Sequence, residues 1–483
     1  MIRIFFLFFS LILFIPNFIA YKGSDIILIY FYLSSSGYVY YSFRKKFIFT
    51  EIYLAALLWL GFVYKFSLVN LNLARIKEAK DYLELTPDLL DKVLLIVSYG
   101  FCFLIFLSFF REFFFSYEKL NNKIKDKSAE IIKLYFDREK IILFLFFSFI
   151  ILFSILNLKF GIFQKGIISN ENISPFFLIF FKWLTMFGFA SISSFIIFSY
   201  LKYKKSFLFS MIIGITESMI TSFGFLSRAS VIFNSSSFVF GYIKYANMEK
   251  KFKLKIKTIS KFLLILIIAI ISILFLVENK RSKLLYDNNK SKTFNIIEIE
   301  KIDQDYSTNL LTNIDRIFRN RTINNIVYLS LYRWVGLDSM LSVLSSQNLS
   351  KKLFFESLKE KFDPNQYSFY EKNFLDKNMK YESHSNKNYG ILVPGFFAYS
   401  IYSGSILFFL FLIFMFYSIG ILIEKFAFVY SYGNFIFSAL ISQIYVYRLI
   451  HFGYMPLNSW KLLIAIVFNI LIYYLVIKYS KKL

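Results

Sequence analysis

Four arginines and one aspartate beyond the middle of the chain are the side chains best suited to chemistry on a phosphate. The arginines are Arg316, Arg319, Arg321 and Arg333, in a chain that otherwise prefers lysine, and Asp338 follows the last of them by five residues. A guanidinium group stays charged and can bind two phosphate oxygens at once. The cluster predicts a pyrophosphate clamp. The alternative is an amphipathic helix whose basic side faces solvent or lipid head groups.

A second candidate pair is Glu217 and Arg228. Glu217 lies inside an apolar run at 206–226, and an ionisable group in a membrane helix is a functional hypothesis. Eleven residues separate the two, about three helical turns, so we expect them on nearly the same face. Arg228 falls in the short turn GFLSRAS, at the height of a lipid-linked phosphate. Alternatively, Glu217 has only a structural role, as the partner of Lys182 or of a hydroxyl group. The alternative role for Arg228 is that of an anchor at the membrane interface.

The two histidines are the remaining candidates. His384 precedes Pro394–Gly395, where the chain becomes apolar again, and it could act as general base or phosphate partner or simply be exposed. His451 follows Arg448 by three residues, so the two share one helix face and form a candidate substrate-contacting pair.

Composition indicates which elements position these residues. The chain is 57% hydrophobic and 22% aromatic, above the level of about 45–50% apolar residues in soluble domains. Apolar runs near the length that spans a bilayer recur throughout. The net charge of +25 is concentrated in short segments between these runs, as in cytoplasmic loops facing anionic lipid. The pattern favours a polytopic membrane protein over a nucleic-acid-binding one.

Twelve apolar runs are predicted to be transmembrane helices. They lie at about 4–20, 25–42, 47–69, 90–110, 140–158, 175–200, 206–226, 229–246, 260–277, 391–423, 433–451 and 460–478. The excess of lysine and arginine in alternate segments places both termini in the cytoplasm. The chain then divides into nine helices (1–277), one large extracytoplasmic loop with short helices (278–390) and three helices (391–483). Run 4–20 is read as a helix because no signal-peptide cleavage site follows it.

Several common catalytic motifs are missing. The sequence has no Walker A motif, no HExxH, no GxSxG and no spacing of Cys and His that would bind a metal. Cys102 is the single cysteine, so an internal disulfide is impossible. We therefore expect no metal and no cofactor, and chemistry carried by charged side chains.

The chain resembles the bacterial O-antigen or oligosaccharide repeat-unit polymerases of the Wzy type. The likeness is carried by the twelve basic, aromatic-rich spans with one large outer loop late in the chain. It is also carried by SRAS at 227–230, RWVGLDSMLSV at 333–343 and PGFFAYSIYSGS at 394–405. The resemblance implies an all-helical bundle similar to that of GT-C enzymes, in the bacterial inner membrane.

The resemblance also implies a reaction. The enzyme would transfer a glycan from one polyprenyl-pyrophosphate carrier to a sugar hydroxyl on another, at the outer face of the membrane and without a metal. Preorganised arginines would stabilise the departing pyrophosphate, and a base would take the hydroxyl proton. We favour Asp338 as that base, with His384 and Glu217 as alternatives. The implied partners are the two lipid-linked glycans, membrane lipid and a chain-length regulator protein, but no nucleic acid.

Three other classes of membrane protein share part of this pattern. A polysaccharide flippase also has about twelve helices, but in two similar halves with short loops, and no internal repeat is detectable here. GT-C transferases acting on lipid-linked sugars have an acidic pair in the first outer loop, whereas that loop, 21–25, has a single acid. An O-antigen ligase shares the chemistry and differs only in its acceptor, so the sequence leaves polymerase and ligase open.

Overall fold

The computed structural model describes most of the chain, and every regular element in the described part is a helix. The described residues are 2–44, 46–73, 86–121, 124, 128–164, 173–204, 206–248, 256–290, 334–361, 367–375, 394–451 and 456–479. Arg316, Arg319, Arg321, Arg333 and His384 lie outside these ranges.

Eleven helices are described before the long loop. They are α1 (Ile2–Ala20), α2 (Asp25–Ser42), α3 (Phe49–Asn70), α4 (Pro87–Phe114), α5 (Tyr117–Asn121), α6 (Ser128–Asp137), α7 (Glu139–Phe160), α8 (Phe176–Lys204), α9 (Phe207–Gly224), α10 (Ser230–Met248) and α11 (Ile256–Lys290). Seven further helices are described after position 333. They are α12 (Leu337–Leu344), α13 (Lys351–Ser357), α14 (Phe369–Phe374), α15 (Gly395–Ser400), α16 (Ile406–Tyr430), α17 (Phe435–His451) and α18 (Pro456–Tyr479).

The chain is a multi-pass helical membrane protein. Among the described residues, nine helices are long and apolar enough to cross a membrane, namely α1, α3, α4, α7, α8, α9, α11, α16 and α18. Helices also form at the other three predicted runs, as α2, α10 and the shorter apolar α17. Polar residues such as Ser34, Ser35 and Asn234 lower the hydropathy of α2 and α10. Twelve spans therefore remain a prediction.

The predicted run 391–423 is not one helix, which corrects the sequence analysis. The short α15 ends at Ser400, and a turn with Gly404 at a φ of +71° separates it from α16. The Ser405 hydroxyl accepts a hydrogen bond from the backbone N–H of Phe408 and caps the new helix. Apolar periodicity does not reveal such a break, because the short helix α15 and the long helix α16 on either side of it are both apolar.

Helices α3 and α8 lie mostly inside the bundle. In the most apolar stretch of both α3 and α8, 83% of residues are buried by protein, against 11% in α1, 17% in α7 and 22% in α11. The outer helices expose large apolar side chains such as Phe8 and Phe144, as expected of surfaces that face lipid. The charged groups of α3, Glu51 and Lys65, are therefore buried within protein.

Two buried carboxylates tie the helices together at the end of the bundle that carries Phe49. Glu51 pairs with Arg111 at 2.7 Å and accepts a hydrogen bond from the Tyr417 hydroxyl. The Glu424 carboxylate on α16 accepts hydrogen bonds from the backbone N–H groups of Phe49 and Thr50. These N–H groups, at the start of α3, have no acceptor within their own helix. This carboxylate caps α3 from a neighbouring helix. Residues 334–361 and 367–375 lie at the opposite end of the bundle, which we call the loop end.

Candidate functional site

A buried ion pair joins the membrane bundle to the first helix after the long loop. Lys65 Nζ on α3 lies 2.6 Å from Asp338 Oδ2 on α12, and both side chains are 3% exposed. The same ammonium group donates to the backbone carbonyl of Trp334 at 3.0 Å. Asp338 lies in the first turn of α12, where the helix dipole favours a negative charge. Its Oδ1 is buried without a hydrogen-bond partner among the described residues.

Two glycines allow this pair to form. Gly61 lies in a π-helical turn of α3, Trp59–Tyr64, which directly precedes Lys65. A Cβ atom on Gly61 would overlap the carbonyl oxygen of Val335, and one on Gly336 would lie 2.6 Å from the carbonyl oxygen of Gly61. The two backbones therefore touch. Such single π-helical turns occur frequently at functional sites.

The segment that carries Trp334 and Val335 also contacts the ends of α15 and α17. A Cβ on Gly395, whose φ is +74°, would lie 2.6 Å from Val335 Cγ1 and 3.0 Å from the backbone oxygen of His451. The ring centroids of Trp334 and His451 are 6.0 Å apart. Three stretches singled out from the sequence, 333–343, 394–405 and 448–451, therefore meet at one place.

Arg448 lies in a second π-helical turn, Val446–His451, three residues before His451. It is half-buried and makes no ion pair or hydrogen bond with any residue in the described ranges. It lines a small cavity of about 20 Å³, together with the polar side chains of Thr185, Ser230, Asn234 and Gln443. An unpaired guanidinium group among neutral polar groups is suited to binding an anion.

An apolar groove of about 220 Å³ lies on the other side of this π-helical turn, where Leu449 forms part of its wall. Side chains of α16 and α18 line it, including Met415, Ile419 and Leu463. Its rim carries Glu360 and Tyr399. Burial raises the pKa of the Glu360 carboxyl above its ordinary value and that of the Tyr399 hydroxyl to about 12. The rim is therefore polar.

The predicted pair of Glu217 and Arg228 is not brought together on one helix face. Helix α9 ends at Gly224, so the helical spacing that underlies the prediction does not extend to Arg228. Arg228 pairs instead with Glu278 of α11, at 2.9 Å between Nε and Oε2. Arg281 of α11 donates to the carbonyl of Leu226 in the same turn. The turn is thus fastened to α11.

Glu217 is fully buried in α9, as its position in an apolar run predicts. Its Oε2 accepts a hydrogen bond from the Ser218 hydroxyl at 3.4 Å, and its Oε1 has no partner among the described residues. Lys182, the other structural partner considered, lies over the ring of Phe163.

Lys65 is the important residue that sequence reasoning missed. The signal was present, because Lys65 lies inside the apolar run 47–69 and the argument applied to Glu217 holds equally for it. Its proximity to the predicted helix end obscured it, since lysines near helix ends commonly reach the membrane surface. Its ion pair with Asp338 shows that it points into protein instead.

The geometry defines the class of this protein as a multi-pass helical membrane protein with a polar, charged site at one end of its bundle. Within the described ranges, no group of three His, Cys, Asp or Glu side chains is placed to hold a metal ion. The chain matches no protein-family model, no curated protein and no solved structure.

Proposed function

We propose that the protein polymerises polyprenyl-pyrophosphate-linked oligosaccharide repeat units at the outer face of a bacterial inner membrane. The observation that carries the proposal is the continuous set of contacts at the loop end. Asp338, with one oxygen held by Lys65, connects through Trp334 and His451 to the π-helical turn that bears Arg448, which has no partner among the described residues. Glycosyl transfer from a pyrophosphate needs a base for the acceptor hydroxyl and positive charge beside the leaving group, and Asp338 and Arg448 suit these two roles.

In the proposed reaction a sugar hydroxyl of the acceptor attacks the anomeric carbon of the donor glycan. The bond from that carbon to the pyrophosphate oxygen breaks, and the pyrophosphate leaves with the electron pair. Asp338 takes the hydroxyl proton on Oδ1, the oxygen that Lys65 does not hold. Arg448 stabilises the negative charge of the departing pyrophosphate. Arg316, Arg319, Arg321, Arg333 and His384, outside the described ranges, remain predicted contributors, as do Arg228 and Glu217.

The apolar groove beside the site suits the hydrocarbon chain of a lipid carrier. Leu449 in its wall directly follows Arg448, so a chain in the groove would keep the attached pyrophosphate close to that guanidinium group. The distribution of basic residues supports twelve spans, cytoplasmic termini and an extracytoplasmic segment 278–390. These features would place the site where lipid-linked glycans are extended.

Deletion of the gene in its native host, followed by gel analysis of the surface glycan, tests the proposal. We expect single repeat units on the lipid anchor in place of a ladder. A glycan missing altogether would favour an O-antigen ligase or a flippase. An unchanged ladder would refute all three.

Complementation with matched variants ties the result to the site. Wild-type protein and an exposed-lysine variant, Lys352→Ala, should restore the ladder, whereas Arg448→Ala should not.

A further inference from the structure

Helices α10 and α17 pack closely beside the small cavity that contains Arg448. A Cβ on Gly241 of α10 would lie 2.7 Å from the Cα atom of Ile436 on α17, so the two backbones are in contact there. Further along the two helices, the ring centroids of Phe233 and Tyr447 are 3.8 Å apart. Both rings line the cavity, which therefore lies at the interface between α10 and α17.

Two amide side chains in this cavity have no partner among the described residues. Gln443 of α17 is 2% exposed and Asn234 of α10 is half-buried, and both line the cavity together with Arg448. None of these three side chains makes a hydrogen bond or an ion pair with a residue in the described ranges. Because buried polar side chains nearly always have a hydrogen-bond partner, the amide of Gln443 indicates that the cavity holds a ligand or water.

The donors available in this cavity are N–H groups. The hydroxyl groups of Thr185 and Ser230, which also line it, donate to oxygen atoms of residues outside the cavity. The two amide groups and the guanidinium group of Arg448 carry N–H donors that no described residue accepts. No described residue that lines the cavity is acidic. The surroundings therefore suit an anion and disfavour a cation.

The size of the cavity limits what the anion can be. Its volume of about 20 Å³ compares with the roughly 10–15 Å³ that one water molecule requires. A chloride ion or one oxygen atom of a phosphate group fits this space, whereas a whole phosphate group does not. A water molecule also fits, but it would leave the charge of Arg448 uncompensated.

We propose that Arg448, Gln443 and Asn234 bind a single anionic atom, which is either a chloride ion or one terminal oxygen of a pyrophosphate. The assignment to pyrophosphate rests on the proposed function. The three side chains donate N–H groups to the anion, and Arg448 supplies the compensating charge. Gln443 and Asn234 are then substrate-binding residues that hold one oxygen of the leaving group beside Arg448. Chloride and pyrophosphate exclude each other, because the cavity has room for only one such atom.

Chloride NMR on the purified protein in detergent micelles tests the site without any glycan. Chloride that exchanges between solution and a protein site broadens the signal in proportion to the bound fraction. Ionic strength and pH are held constant while sodium chloride replaces sodium gluconate. We expect a broadening by wild-type protein that saturates with chloride and is missing in Arg448→Ala. Equal line widths for these two proteins would overturn the proposal.

Two further variants assign the signal to the cavity. Gln443→Leu should weaken chloride binding roughly tenfold, because a hydrogen bond to a charged group is lost. Its Tm should not fall, since an apolar side chain of similar size replaces a buried amide without a partner in the described ranges. Gln347→Leu, a matched change at an exposed amide, should bind chloride like the wild type. Full chloride binding by Gln443→Leu would refute its role.

Competition separates the two sources of the anion. Displacement of chloride by inorganic pyrophosphate at constant ionic strength would assign the site to an oxygen of the leaving group. Chloride that pyrophosphate does not displace would overturn that assignment. Neither result depends on chain extension, so a protein that binds both anions here but leaves glycans unextended would refute the proposed function alone.

Discussion

Lys65 and Asp338 form a buried ion pair in which Nζ and Oδ2 are 2.6 Å apart, although one lies in a central membrane helix and the other follows the long loop. The pair fixes α12 against α3 at the point where Gly61 and Gly336 touch. Removing one member of a buried pair leaves the other charge uncompensated, which costs about 3–5 kcal/mol. The pair therefore both holds the site in place and orients its carboxyl group.

Lys65→Met tests the structural part of this role. We expect a loss of about 3–5 kcal/mol in stability, because Asp338 remains buried without its partner. The double variant Lys65→Met/Asp338→Leu should recover most of that stability while staying inactive. Thermal unfolding and the glycan ladder measure the two properties separately. A double variant with a normal ladder would show that Asp338 takes no part in the reaction.

Arg448→Ala tests the anion-binding part of the site. Loss of one preorganised donor to a developing negative charge lowers turnover by roughly 10²–10³-fold. The half-buried arginine has no partner in the described part of the chain, so the protein level and Tm should stay normal. Arg448→Lys should restore part of the activity, since it returns the charge without the paired donors. Chain-length distributions from a complemented deletion strain provide the measurement.

The sequence predicted the membrane class and singled out several residues of the candidate site, but not the contacts that connect them. Apolar runs located the long helices because bilayer thickness sets their length. Asp338, Arg448 and His451 were recognised individually by residue type. These residues come together because the backbones at Gly61 and Gly336 are in contact. The hydrophobic periodicity of the sequence does not indicate which glycines of two distant segments will contact each other. The expected link between Glu217 and Arg228 failed because the turn at Gly224 interrupts the helix.

Gly61→Ala should disrupt the site through this backbone contact. The added methyl group overlaps the carbonyl oxygen of Val335, which is backbone and cannot rotate away. We expect reduced stability and loss of the ladder. Gly37→Ala, in the neighbouring helix α2, is the matched control, because its methyl group would meet only the flexible end of Ile105 at 3.3 Å. Equal behaviour of the two variants would contradict the described packing.

Arg111→Met tests whether the network at the opposite end of the bundle is structural. Glu51 would be left buried without its partner, so stability should fall by about 3–5 kcal/mol. Glu51→Leu/Arg111→Met should regain much of it and keep a normal ladder, since this network lies far from the proposed site. A folded double variant without a ladder would assign the network a role in the reaction.

Arg333→Ala tests a predicted contributor outside the described ranges. We expect shorter chains at a normal protein level, because the guanidinium group would bind pyrophosphate oxygens. Its place directly before Trp334, which contacts both Lys65 and His451, supports this choice. Wild-type ladders from this variant would remove Arg333 from the site.

Reconstitution measures the central claim most directly. Purified protein in liposomes is given polyprenyl-pyrophosphate-linked repeat units from the deletion strain, and both glycan length and released polyprenyl pyrophosphate are recorded. We expect wild-type protein to form longer chains and release one carrier per bond formed, and Asp338→Asn to do neither while remaining folded. The account would be contradicted if chains did not lengthen with folded wild-type protein. It would also be contradicted if they lengthened equally with Asp338→Asn.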